Sequence, residues 1–122
     1  MGRMERINEA VKREISLIIQ EEISDPRLEF VTITGADVSA DLQYARITYS
    51  VLGSEQQVAE AGEVLSHASS YIRRLVGQRV HMRYVPEIHF AYDQSIAYGA
   101  RIEQTIQEIH DAEAKQQKTK QS

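Results

Sequence analysis

The stretch that decides the fold is YARITYSVLGSEQQVAEAGEVLSHASSYIRRLV, residues 44–76, because its apolar period changes once along its length. From 44 to 51 the pattern alternates. Ala45, Ile47, Tyr49 and Val51 point one way, and Tyr44, Arg46, Thr48 and Ser50 the other, which is the two-residue repeat of a strand with one covered face. After Gly53 the spacing widens. Ser54 with Gln57 three residues on makes a capping box, and Val58, Ala61, Leu65, Ala68, Ile72 and Leu75 or Val76 form one stripe at helical spacing. The spacing predicts a helix over 54–76, with Gly77 as its stop.

The flanks extend this reading. Upstream, Ile7, Val11, Ile15 and Ile18 fall within an arc roughly 80° wide at about 100° per residue, predicting a helix over 3–23. Asp25-Pro26 ends it, since the residue before a proline is pushed out of helical geometry. Val31 to Thr34 alternates, Gly35 permits a bulge, and Ala36-Asp37-Val38 leads into the turn Ser39-Ala40-Asp41-Leu42, so that 31–38 and 44–51 make a hairpin. Downstream, Val80, Met82 and Tyr84 alternate, Pro86 interrupts, and Ile88, Phe90 and Tyr92 resume the same parity. Pro86 cannot donate to a ladder, which places this third strand at an edge or bulges it there. A last helix over 95–113 carries Ile102, Ile106 and Ile109, and residues 114–122 have nothing to bury and are expected to be a disordered polar tail. A strand reached through a helix needs a crossover, so the third strand is expected to run parallel to a neighbour. The expectation is one two-layer α+β domain, residues 1–113, with helices on one face of a three-stranded mixed sheet.

The chemistry that composition excludes is extensive. There is no Cys among the 122 residues, so disulfides, thiolate metal sites and thiol nucleophiles are absent, and the chain suits a reducing cytoplasm. The apolar run at Ile15 and Leu17 to Ile19 is broken by Gln20, Glu21 and Glu22, which fits neither a signal peptide nor a membrane span. His67, His81, His89 and His110 lack the paired spacing of a metal site, and no HExxH, GxSxG, P-loop or GxGxxG occurs. No catalytic residue, metal or cofactor is therefore expected, and the chain does not read as an enzyme.

The formal net charge of −4 argues at first against a nucleic-acid partner. It is unevenly distributed. Residues 64–86 hold Arg73, Arg74, Arg79 and Arg83 with no Asp or Glu, whereas 14–29 and 87–113 are acidic. A solvated arginine face is the plain reading of such a run. A strip facing phosphates is the functional one, favoured by arginine supplying most of the cations, because its planar fork matches phosphate oxygens. Arg73, Arg74, Arg79 and Arg83 are then candidate RNA-binding residues, and Lys12 and Arg13 a second basic edge.

Asp25-Pro26-Arg27-Leu28, the Val38-Ser39-Ala40-Asp41-Leu42 turn with Ala45 behind it, and Val85-Pro86-Glu87-Ile88 with Phe90, Asp93, Ser95 and Gly99 together resemble ribosome-binding factor A, in order over about residues 3–110. The resemblance implies a type-II KH-like domain, arranged helix, strand, strand, helix, kink, helix, strand. Its kink is an Ala-x-Gly step in place of the GxxG clamp of ordinary KH domains. That step aligns with Ala68-Ser69-Ser70, where Ser70 replaces the glycine; Ala68 marks the kink, and Ser69 and Ser70 join the candidate RNA contacts. The resemblance further implies a monomeric, non-catalytic assembly factor. Such a factor binds the free small (30S) ribosomal subunit and its 16S rRNA, assists late maturation and 5′ end processing, and matters most in the cold. The competing reading is a small α+β adaptor for protein–protein contacts, without direct RNA binding, that dimerises through the strand edge near Pro86.

Overall fold

The computed structural model describes residues 2–94. The expected helix over 95–113, the tail over 114–122 and the boundary between them lie outside the described residues. The order of elements is helix α1 (Arg3–Glu21), a 3-10 turn (Pro26–Leu28), strands β1 (Val31–Val38) and β2 (Tyr44–Val51), helix α2 (Glu55–Arg79) and strand β3 (Glu87–Tyr92).

β1 and β2 pair antiparallel from Val31 opposite Val51 to Val38 opposite Ala45, and the register shifts between Ile33 and Gly35. Thr34 is the extra residue of this bulge, and its hydroxyl meets that of Thr48 at 3.1 Å. A Cβ on Gly35 would sit 2.8 Å from Thr48 Oγ1, so the bulge closes because this position has no side chain. β3 pairs parallel to β2, Tyr44 opposite Glu87 through Tyr49 opposite Tyr92, which gives the mixed sheet order β1-β2-β3 with β3 at an edge.

The core follows the stripes. Val11, Ile15 and Ile18 from α1 and Ala61, Leu65, Ile72 and Val76 from α2 are buried against Ile33, Ala45, Ile47, Tyr49 and Ile88 on one face of the sheet. Each fully buried Leu, Ile or Val contributes about 1.5–3 kcal/mol. Ser54 and Gln57 close the capping box that starts α2, with Ser54 N–H donating to Gln57 Oε1 at 2.7 Å and Gln57 N–H to Ser54 Oγ at 3.2 Å.

Three expectations need correcting. First, α2 does not stop at Gly77 but runs on to Arg79. Gly77 has no positive φ; a Cβ there would lie 2.9 Å from Val85 Cγ2, because the connection after the helix folds back onto it. Glycine here provides close approach, not a helix terminus. Second, residues 80–86 are not strand. The ladder begins only after Pro86, with Glu87 N–H donating to the Gln43 carbonyl at 2.9 Å. Val80 is buried and Met82 half-buried, but Tyr84 is 57% exposed, against the shared inward face that its parity implied. Third, α2 is one uninterrupted helix across Ala68-Ser69-Ser70, where the resemblance implied a kink between two helices; Ser69 Oγ donates to the Ser66 carbonyl at 2.8 Å within it.

The β1–β2 turn carries the one non-glycine residue with positive φ among those described, Leu42 at 62°. Its N–H donates to the Ser39 carbonyl at 2.9 Å, and Asp41 Oδ1 accepts from Ser39 Oγ at 2.7 Å and from Gln43 N–H at 3.1 Å. These bonds hold the Asp41 carboxyl below its ordinary range. The left-handed conformation costs roughly 1–2 kcal/mol. Burial of the Leu42 side chain, 8% exposed, offsets it by about 1.5–3 kcal/mol.

Candidate nucleic-acid interface

The connection 80–86, pinned between the end of α2 and the start of β3, holds two of the exposed arginines, Arg73 and Arg83. Arg73 Nη2 donates to the Val85 carbonyl at 3.0 Å, tying α2 to the connection. Arg74 lies over the Tyr71 ring at 5.2 Å, and Arg83 over the Tyr84 ring at 5.5 Å. Arg73, Arg74, Ser70 and Tyr84 line a groove of about 780 Å³ that also takes in Leu42, Gly77 and Glu87. The groove leads into a cleft of about 300 Å³ where Ser66, Ser69 and Ser70 of α2 face Ile88 and Phe90 of β3.

On the other side of Tyr84, Arg83 shares a hollow of about 580 Å³ with Arg3, Arg6 and His81. Arg3, Arg83 and Tyr84 also meet Asp41 and Leu42 in a smaller one. Tyr84 is thus a ridge between two basic hollows, and Leu42 forms part of the floor of both. The carboxylates on this surface are Glu87 on the α2 side and Asp41 on the α1 side.

The residues expected from sequence do not all gather here. Arg73, Arg74 and Arg83 do, together with Ser69 and Ser70. Arg79 does not: its Nη2 lies 2.9 Å from Glu22 Oε1 and its Nη1 3.8 Å from Glu14 Oε2, so it clips the end of α2 to α1. Arg13 is largely exposed, 3.8 Å from Glu14 Oε1, and lines an adjoining hollow with Arg79 and with Arg6 and His81, which also line the hollow of Arg83. Lys12 is half-buried, and its carbonyl accepts the Ser16 hydroxyl at 2.8 Å. Two arginines that sequence reasoning did not assign, Arg3 and Arg6, join Arg83 instead. Their three-residue spacing at the start of α1 was the available signal, since it places both on neighbouring positions of one helix surface.

Away from this surface Arg46 on β2 is exposed and within salt-bridge distance of no carboxylate among the described residues, whereas Arg27 is tied to an acid. Arg27 Nη2 meets Asp25 Oδ2 at 2.8 Å, and the Arg27 N–H donates to Asp25 Oδ1 at 2.9 Å, capping the 3-10 turn. The Arg27 side-chain bond, with its backbone bond, holds the Asp25 carboxyl below its ordinary range, and Asp25 in turn raises Arg27. Among the described residues no three His, Asp or Glu side chains come together as a metal site, and no helix is long and apolar enough to cross a membrane. What the arrangement offers is a set of exposed guanidinium groups, two of them lying on tyrosine rings.

The chain is similar to known proteins over most of its length. A family model described as ribosome-binding factor A matches residues 3–106. A protein of that name from Acetivibrio thermocellus is 51% identical over 109 residues, 88% of this chain and 89% of that one. Among solved structures, ribosome-binding factor A from Thermus thermophilus superposes with a TM-score of 0.67 at 25% identity, covering 75% of this chain and 97% of that one. A homology model of the Thermus factor, fitted into a cryo-EM map of a complex with 30S, shares the fold with a TM-score of 0.61 at 24% identity, covering 78% of this chain and 97% of that one.

Proposed function

The chain belongs to the ribosome-binding factor A family, and on that footing we propose that it binds the free small ribosomal subunit and contacts its 16S rRNA. It does so as a monomer in the cytoplasm. The bound factor holds an rRNA conformation during late maturation, favouring 5′ end processing without cutting anything itself, and matters most in the cold, where misfolded RNA escapes slowly. The observation that carries the reading is the band of Arg73, Arg74, Arg83, Arg3 and Arg6 around the 80–86 connection, none of which has a carboxylate partner within salt-bridge distance among the described residues. A guanidinium on a carbonyl or a ring keeps its charge available for phosphate.

Mechanistically, the band supplies register and grip through phosphate contacts, while the acids of residues 14–29 lie off the band and limit adhesion to RNA at large. Arg79 acts differently from the sequence expectation: its contribution is to fix the end of α2, from which the 80–86 connection springs. Co-sedimentation of the purified protein with free small subunits tests the reading. Stoichiometric binding that falls steeply with salt is expected, and protein that stays at the top of the gradient at low salt refutes it.

A further inference from the structure

We propose that Tyr84 is a stacking platform for an unpaired base, so that the RNA taken by this surface is locally single-stranded. The inference rests on the reading of the band as an RNA surface, and adds what kind of RNA it takes. Three observations converge on this residue. The first is its exposure. Tyr84 is 57% exposed at a position between Arg83 and Val85 where the connection folds back on α2 and buries neighbouring Val80 and Pro86. Phe30, Tyr44 and Leu52 are comparably exposed, so exposure leaves this ring available and its position among the arginines singles it out.

The second observation is position. Tyr84 lines the groove containing Arg73 and Arg74 and also the hollow containing Arg3 and Arg83, so cations capable of holding consecutive phosphates stand on both sides of one ring. A duplex keeps its bases stacked inside and presents phosphates and sugars to such a ridge. A single strand presents a base between two phosphates. The third is the Arg83 guanidinium, 5.5 Å from the ring centroid. It covers part of the ring while leaving more than half of the residue accessible, which is how an arginine and a tyrosine combine to receive a base by stacking and cation–π attraction. Asp41 and Glu87 bound the ridge and repel phosphate, which keeps the backbone to the arginines on either side.

The test uses the full chain with free small subunits and with a single-stranded ten-nucleotide RNA carrying one 2-aminopurine, against a duplex of the same length. The wild-type protein is expected to quench the 2-aminopurine and to prefer the single strand. Tyr84→Leu is expected to lose the quench and weaken binding about tenfold, in the range for removing one stacked base, with the salt slope unchanged. Tyr84→Trp and Tyr84→Phe are expected to keep both quench and affinity, which separates stacking from any role of the hydroxyl. Equal affinity for duplex and single strand overturns the proposal, as does undiminished quenching by Tyr84→Leu, or wild-type protein that binds subunits without binding the single strand. Failure of wild-type protein to bind small subunits overturns the proposed function instead, whatever the oligonucleotides show.

Discussion

Arg73 and Arg79 lie less than two turns apart on the same helix, and the molecule uses them in opposite ways. Arg79 is held by Glu22 at 2.9 Å and Glu14 at 3.8 Å, and Arg27 by Asp25 at 2.8 Å. Arg73 donates to a main-chain carbonyl, and Arg74 and Arg83 lie on tyrosine rings. Carboxylates neutralise a guanidinium; a carbonyl or a ring orients it and leaves its charge in place. Ordering a long side chain in advance lowers the entropy lost when it grips a ligand. The comparison teaches that a basic run acquires its function from the partner each cation finds within the fold.

The sharpest way to break this contrast is charge reversal. Arg73→Glu, Arg74→Glu and Arg83→Glu together are expected to weaken binding to small subunits by at least a hundredfold, since each lost phosphate contact costs roughly 1 kcal/mol or more. Circular dichroism should show the fold retained, with a modest loss of stability from the Arg73–Val85 bond. Next in size is Gly77→Ala. Its Cβ would lie 2.9 Å from Val85 Cγ2, so the connection must shift. Urea unfolding should show about 1–3 kcal/mol lost, with subunit binding weakened because Tyr84 and Arg83 ride on that connection. A stabilised protein would show that glycine served only as a weak helix former.

Smaller still, Arg79→Ala is expected to lower stability by about 1 kcal/mol or less, in the range of partly exposed ion pairs, and to change subunit affinity less than twofold. The smallest effect concerns Asp25. Its folded pKa lies below the ordinary 3.8, so the stabilisation from its bonds to Arg27 is present above that value and is lost as pH falls through the depressed one. The melting-temperature difference between wild type and Asp25→Asn should therefore be constant from neutral pH down to about 4 and shrink below it. A difference that vanishes already near pH 6 would implicate another group.

The fold was legible wherever one period dominated. The stripe from Val58 to Val76 and the alternation from Ala45 to Val51 each have one covered face, so spacing alone assigns them, and a strand reached through a helix implies the parallel pairing of β2 with β3. Gly77 was misread because glycine serves both helix ends and close approaches, and only the position of Val85 distinguishes them. Tyr84 was misread because Val80 and Met82, buried and half-buried two positions apart, belong to the same irregular segment and set no strand parity for it. For the site, the sign of the 64–86 run was visible, and so was the candidacy of Arg73, Arg74 and Arg83. The diversion of Arg79 to Glu14 and Glu22, 65 and 57 positions away in the chain, was not, and neither was the approach of Arg3 and Arg6 to Arg83. The spacing of Arg3 and Arg6 shows that they share one helix surface, but which distant residues either group meets is set by the tertiary fold.

The most direct measurement is the salt dependence of binding to free small subunits, taken side by side for wild type, the Arg73/Arg74/Arg83 charge-reversal variant and an Arg27→Ala/Arg79→Ala variant. If the unneutralised arginines carry the contacts, the log–log slope of the first variant is shallower by about 0.7–0.9 for each of its three lost phosphate contacts, while the second keeps the wild-type slope. Equal slopes for the two variants would contradict the account, because they would show that the fold's choice of partner for each arginine has no bearing on how the protein holds RNA.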